Sequence, residues 1–175
     1  MACALTGSQI LDCKDSIGGI KEIKIKAHPG LASIEADYTF SSGSITAIAS
    51  GSNRSAWYTW NLEKENASAS YPAVTNPQNG TTFYQPEVKI VANKSSARLS
   101  YEIQQVSKNR VIVAVRDMND RYIILGAKYG LDLTAATAGT GQARGDRNGY
   151  EITLTGKEDL PEQDITSAIW ATLVS

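Results

Sequence analysis

Hydrophobic and polar positions alternate with a period of two along most of the chain, so strands dominate the expected structure. From Ile20 to Ala27, Ile23, Ile25 and Ala27 face away from Lys24 and Lys26, the pattern of a half-buried strand. Leu31 to Phe40 reads as a second strand through Ile34, Ala36 and Tyr38. A turn at Ser41-Ser42-Gly43 leads into Ser44 to Ala49, and Gly51-Ser52-Asn53 marks another turn. Ala56 to Ser70 reads as one long strand, with Tyr58, Trp60 and Leu62 on one side and Thr59, Asn61, Glu63 and Glu65 on the other. A Pro/Asn/Gly-rich stretch from Tyr71 to Gly80 follows, and Thr81 to Val91 resumes the alternation, so the two runs predict a long antiparallel pair reaching beyond the domain body. Pro86 belongs at an edge or a bulge, because proline donates no ladder hydrogen bond.

A helix is predicted from Ser95 to Lys108, where Leu99, Ile103 and Val106 recur at helical spacing and Asn93 or Ser95 is available as N-cap. Its narrow apolar stripe predicts packing on a sheet by one face. Val111 to Val115 is continuously apolar, as in a strand covered on both faces. Asp117 to Asp120 then turns the chain into Arg121 to Leu125, closing a hairpin. Leu131 to Asn148, rich in Gly, Ala and Thr, reads as a surface loop. Beyond it Tyr150, Ile152 and Leu154 alternate with polar residues, Gly156 to Glu162 is polar, and a last strand is expected from Ile165 to Val174, carrying Trp170. No solenoid-like repeat or composition shift divides residues 1–175, so a single domain is expected: mainly β, an antiparallel sandwich or barrel with one packed helix and a long hairpin.

Composition narrows the function. Of 175 residues 42% are hydrophobic and 20% charged, which is globular, and seventeen basic against eighteen acidic residues leave a net charge of -1. That balance supplies no overall attraction to nucleic acid or anionic lipid. The first residues show no basic start with an apolar run, and no stretch nears the ~20 apolar residues that span a bilayer, so a cytosolic, anchor-free protein is expected. Cys3 and Cys13 are then expected as small apolar fillers, and two thiols with one distant histidine, His28, make no structural zinc set.

The candidates for chemistry are few. His28 precedes Pro29-Gly30 in a turn without a nucleophile elbow nearby. Glu63 and Glu65 share a strand face, but a glycosidase needs its carboxylates across a cleft. Gly139 to Gly145 lacks the lysine, the Ser/Thr and the helix of a phosphate loop. Arg144-Gly145-Asp146 spells an integrin-type tripeptide that chance explains in a flexible loop. Asn-x-Ser/Thr triplets at Asn53, Asn66, Asn79 and Asn93 carry glycans only on a secretory route. Trp57 and Trp60 point to opposite strand faces, so one is core and the other is exposed or lies under a partner. No cofactor, metal or catalytic residue is expected.

Taken together, these segments resemble the major tail tube proteins of long-tailed bacteriophages. The resemblance is carried by the opening from Leu11 to Ile23, the long pair and single helix, the hairpin from Arg110 to Leu125 with its continuation Gly126 to Leu133, and the closing stretch from Asp146 to Glu158. The opening and closing stretches are similar to virion proteins of phages infecting Bacteroidetes. The resemblance implies a non-enzymatic virion subunit in rings, most often hexameric, stacked into a tube that passes DNA. Its partners would be further copies of itself and tail proteins such as the tape measure, the terminator and the baseplate. Residues of this chain suited to lumen or inter-subunit surfaces are Trp57, Thr59, Asn61, Glu63, Glu65, Gln85, Glu87, Lys89, Arg144 and Asp146. Lys21, Lys24 and Lys26 form a basic face expected outside the tube or against a neighbour's acidic residues. The alternatives are another virion ring or head decoration protein, and a monomeric β-sandwich module binding carbohydrate through Trp57 or Trp60.

Overall fold

A computed structural model describes residues 16–49, 56–63 and 65–174. Cys3, Cys13, the opening from Leu11 to Asp15 and the turn at Gly51-Ser52-Asn53 lie outside the described residues. In chain order the elements begin with β1 (Ile20–Ala27), α1 (Leu31–Asp37), β2 (Tyr38–Ser41), β3 (Ser44–Ile48) and β4 (Tyr58–Trp60). Next come β5 (Ala67–Ser70), β6 (Ala73–Asn76), β7 (Thr81–Tyr84), β8 (Glu87–Asn93) and α2 (Ala97–Lys108). The chain ends with β9 (Val111–Asp117), β10 (Tyr122–Leu125), β11 (Leu131–Gly139), β12 (Gly149–Gly156), β13 (Gln163–Ile165) and α3 (Ser167–Thr172). The fold is mainly β, 47% strand and 16% helix, and sandwich-like.

β9 is the hinge of the topology. β1 pairs with it along its length, from Ile20↔Asp117 to Ala27↔Val111. On its other side β10 pairs from Tyr122↔Arg116 to Leu125↔Val113, and β11 takes over at Leu131↔Val111. From β11 the order runs β12-β8-β5, while from β10 it runs β13-β3-β2 and β1 adds β4. β3 and β13 meet in parallel, which makes the sheet mixed.

This path lays a four-stranded sheet, β11-β12-β8-β5, over one face of β1-β9-β10. Between them Ile23, Ile25, Val111, Val113, Val115 and Leu125 meet Val88, Ile90, Leu131, Ile152 and Leu154, with Ile103 of α2 at the side. The opposite face of the same three strands carries Ile112, Ala114 and Ile124, covered by Ile34, Tyr38, Ile45, Ile48, Trp57, Trp170 and Leu173. The unbroken apolar run of β9 follows directly: odd positions enter one core and even positions the other. Each such side chain stabilises the fold by about 1.5–3 kcal/mol.

α2 forms where the 3.6-residue spacing places it, but Ser96 caps it, accepting from the Leu99 N–H at 3.2 Å, in place of the expected Asn93 or Ser95. Other expectations are corrected. Leu31 to Asp37 is helical, and only Tyr38 onward is extended. The predicted strand from Ala56 to Ser70 breaks after Trp60. Glu65 adopts a left-handed φ of 63, and the two halves join different partners, β4 on β1 and β5 on β8. Leu131 to Gly139 is a strand of the Leu131–Asn148 segment expected as a loop; the ladder to β12 orders it. The expected last strand is β13 followed by α3, with Thr166 accepting from the Ile169 N–H at 3.3 Å.

The long hairpin is present, in one unbroken register: Ala67↔Ile90 and Ser70↔Glu87 in the body, Ala73↔Tyr84 and Asn76↔Thr81 in an outer arm. Pro72 and Pro86 mark the junction, where Gln85 N–H donates to Pro72 O at 2.9 Å and Pro86 O accepts from Gly156 N–H at 3.0 Å. Pro86 thus interrupts the ladder between β7 and β8, as its missing N–H requires.

Candidate functional site

The four-stranded sheet has one face in the core and one outside. Val88, Ile90, Ile152 and Leu154 point inward, so Glu87, Lys89, Glu151, Thr153, Thr155 and the β5 serines take the outer face. Lys89 pairs with Glu87 at 2.8 Å, and Arg147 with Glu151 at 2.9 Å. Among the described residues the outer edges of this sheet have no ladder partner: β5 running on into β6 at one side, and β11 past Leu131 at the other. Ala67–Ser70 and Ala73–Asn76 carry no charged side chain and the β11 edge past Leu131 carries only Asp132, at its start, so both edges have few of the charges that usually guard an exposed strand. The outer arm, β6 with β7, is exposed over most of its length, and only Phe83 and Tyr84 near its base are half-buried.

The candidate residues divide accordingly. Glu87 and Lys89 belong to the outer face, and Gln85 to the arm's base. Thr59, Asn61 and Glu63 lie elsewhere, beside a groove of about 570 Å³ between the β4 end, β8 and α2. Glu63 and Glu65 share no strand face. Glu63 accepts from Asn93 Nδ2 at 2.7 Å, and Glu65 sits in the left-handed turn. Trp57 is corrected from interface to core: it is 1% exposed and its N–H donates to Val174 O at 3.1 Å. Trp60, on the opposite face as expected, packs on the other core and lines the groove. Arg144 and Asp146 are exposed in the turn between β11 and β12. Asp146 accepts from the Gln142 and Ala143 N–H groups at 2.8 and 2.7 Å, which lowers its pKa and commits it to its own turn.

The basic face of β1 is corrected too. Lys21 is exposed and pairs with Asp120 at 3.2 Å, but Lys24 is buried beneath the C-terminal segment and Lys26 is buried as well. Lys24 Nζ donates to Trp170 O and Leu173 O at 3.1 and 2.8 Å and lies over the Trp170 ring. A cation there meets the carbonyl end of α3, while burial lowers the pKa of the ammonium.

One group had no sequence signal. Glu158 is 5% exposed, and its carboxylate accepts from the Lys128, Tyr129 and Gly130 N–H groups at 3.3, 2.8 and 3.2 Å. Gly126 and Gly130, both at left-handed φ, shape the turn that presents these donors. Burial pushes the Glu158 carboxyl up to about 7, against the pull of the three backbone donors. Its backbone also bridges Tyr84 at 2.8 Å in both directions, tying the arm's base to this turn. His28 is half-buried in its turn. Nδ1 accepts from Gly30 N–H at 3.0 Å, so Nε2 donates to Lys128 O at 2.9 Å.

Among the described residues no three His, Cys, Asp or Glu side chains gather as a metal set, and no helix is long and apolar enough to cross a membrane. What the arrangement offers chemically is surface: unpaired strand edges, a polar sheet face, an arm and a groove. Comparison with protein-family models, curated proteins and solved structures returned no match.

Proposed function

We propose that this chain is a structural subunit of a long-tailed bacteriophage tail tube, forming stacked rings around a channel for DNA. The observation that carries the reading is the four-stranded sheet with two unpaired edges that bear a single charge between them, Asp132, and a polar outer face. Joining the β5 edge of one copy to the β11 edge of the next is a heterologous contact, and such a contact gives a ring when the rotation closes. It also satisfies backbone groups that an isolated edge leaves open. The outer face would then line the lumen. The cations there, Lys89 and Arg147, are paired to Glu87 and Glu151, and Asp132 adds a further acid, so DNA phosphates would pass without the multiple basic contacts that hold them. Tape-measure, terminator and baseplate proteins are the partners this role implies at the lumen and the tube ends.

Negative-stain electron microscopy of the purified chain, with light scattering across concentration, tests the reading. Rings or hollow tubes are expected, and Ala136→Pro on the β11 edge should give a folded monomer. A wild-type protein that stays monomeric at every concentration overturns it. The groove beside Trp60 favours a second reading, a monomeric carbohydrate-binding module. That reading predicts a monomer whose glycan binding is lost in Trp60→Ala, with Trp57 uninvolved.

A further inference from the structure

The groove owes its existence to the break after Trp60. There the chain leaves β1 and crosses to β8, while α2 packs at the side through Ile103. The space between the β4 end and the first half of α2 is left unfilled. Tyr58 and Trp60, two residues apart on β4, face it together. Trp60 is half-buried against the core, whereas Tyr58 is 53% exposed, an aromatic face that the fold leaves uncovered. On the facing wall Arg98 and Glu102 stand one helical turn apart, the spacing at which such a pair ordinarily meets. Among the described residues neither side chain forms an ion pair or a hydrogen bond, and the Asn61 amide is likewise unengaged.

We propose that this groove binds a short, neutral, linear oligosaccharide, on the subunit itself and whether or not copies assemble. The inference takes up the glycan reading of the groove and adds the class of glycan, its posture and its independence of assembly.

The chemistry of the walls selects that class. A wholly apolar ligand would bury a guanidinium and a carboxylate without partners, at a desolvation cost nothing offsets. A polyanion, whether nucleic acid or acidic glycan, would meet one cation, Arg98, against the carboxylates of Glu63 and Glu102. A neutral sugar chain matches both walls. Its C–H faces can lie on the Tyr58 ring, and its hydroxyls donate to Glu102 and accept from Arg98 and Asn61, so neither ion is left unpaired. The volume of about 570 Å³ lies within the ~300–1,000 Å³ of small-ligand sites. A smaller hollow of about 90 Å³ shares Tyr58, Trp60 and Glu102 with the groove and continues along α2 to Asn109. At ~1.5 Å per residue the helix advances roughly 16 Å from Arg98 to Asn109, which suits several rings laid lengthwise along α2 better than one.

The test titrates the full chain with cellotriose, maltotriose, xylotriose and chitotriose, read by calorimetry and tryptophan fluorescence. Trp60 is the tryptophan placed to respond, since Trp57 and Trp170 are 1% and 7% exposed. At least one neutral trisaccharide is expected to bind below about 10 mM, its monosaccharide about tenfold more weakly, and trigalacturonate not at all. Tyr58→Ala and Arg98→Ala should each weaken binding by about tenfold or more at an unchanged unfolding midpoint, and Tyr58→Phe should keep it. Ala136→Pro should bind as the wild type does. No binding across the panel, tighter binding of trigalacturonate, or wild-type affinity in both alanine variants overturns the inference. Binding by Ala136→Pro that the assembled wild type lacks overturns its independence of assembly. Absence of rings in the wild-type chain overturns the subunit reading alone, and the glycan site stands or falls by the titration.

Discussion

β9 and the outer arm are built from the same ladder geometry and differ in almost everything that follows from burial. Val111 to Val115 have both faces covered, and none of those five residues is more than 2% exposed. The arm strands have neither face covered along most of their length. Hydrogen bonding is common to both, so it cannot explain why one is the centre of the fold and the other an appendage. The difference is apolar area removed from water, which the middle strand has on two sides and the arm lacks. A protein that retains so poorly buried a ribbon has placed its stability in one region and exposed surface in the other.

Substitutions can break that comparison, starting where the effect is largest. Ile112→Ala should cost about 2–5 kcal/mol, because it opens a cavity in the core beneath Trp57 and Trp170. The measurement is the shift in denaturant midpoint at constant m-value. Lys24→Ala should cost about 1–3 kcal/mol, since the Trp170 and Leu173 carbonyls lose their shared donor in a buried site. The same unfolding curves read it, and Lys24→Met should recover little of the loss although it restores volume.

The third test concerns the junction between the two regions. Folding raises the Glu158 carboxyl from its ordinary 4.5 to about 7, so the folded state favours the protonated form. Its contribution to stability is therefore fully present below pH 4.5 and is lost as pH rises through about 7. Unfolding free energy measured across that window should fall with rising pH in the wild type, and Glu158→Gln should flatten the slope. An unchanged slope in the variant would assign the pH dependence to other groups. The smallest effect is expected in the arm: Val74→Ala should change stability by less than about 0.5 kcal/mol in the same unfolding curves. A loss comparable to Ile112→Ala would remove the contrast between the two regions.

The sequence made the doubly covered strand and the arm legible for opposite reasons. Val111 to Val115 announced two buried faces by having no polar position, and the arm announced itself through turn residues between alternating runs. α2 was legible because Leu99, Ile103 and Val106 keep helical spacing over about two turns. α1 escaped because seven residues with a single buried side chain, Ile34, fit either period. α3 had a usable signal in Ile169, Trp170 and Leu173, which recur at helical spacing after Thr166. β11 did not: Ala, Thr and Gly have little hydropathy, and its outer half is exposed on both faces. For the site, the polar face of Glu87 and Lys89 was readable from alternation. That Lys24 lies under the C-terminal segment and that Lys26 is buried was not, because alternation assigns a face but does not say what covers it. Glu158 was invisible for the same reason, its donors arriving from a turn nearly thirty residues earlier.

The unbroken register through Pro72 and Pro86 has a mechanical consequence. Arm and body are one ribbon, with Asn76↔Thr81 at the tip and Ala67↔Ile90 at the root. A load drawing one leg of that ribbon lengthwise against the other is shared by all the rungs at once, whereas a load prying the tip open meets them singly. Tension along the β8 axis would therefore be carried into β12 and the cores in shear, the direction in which a β-ladder yields last.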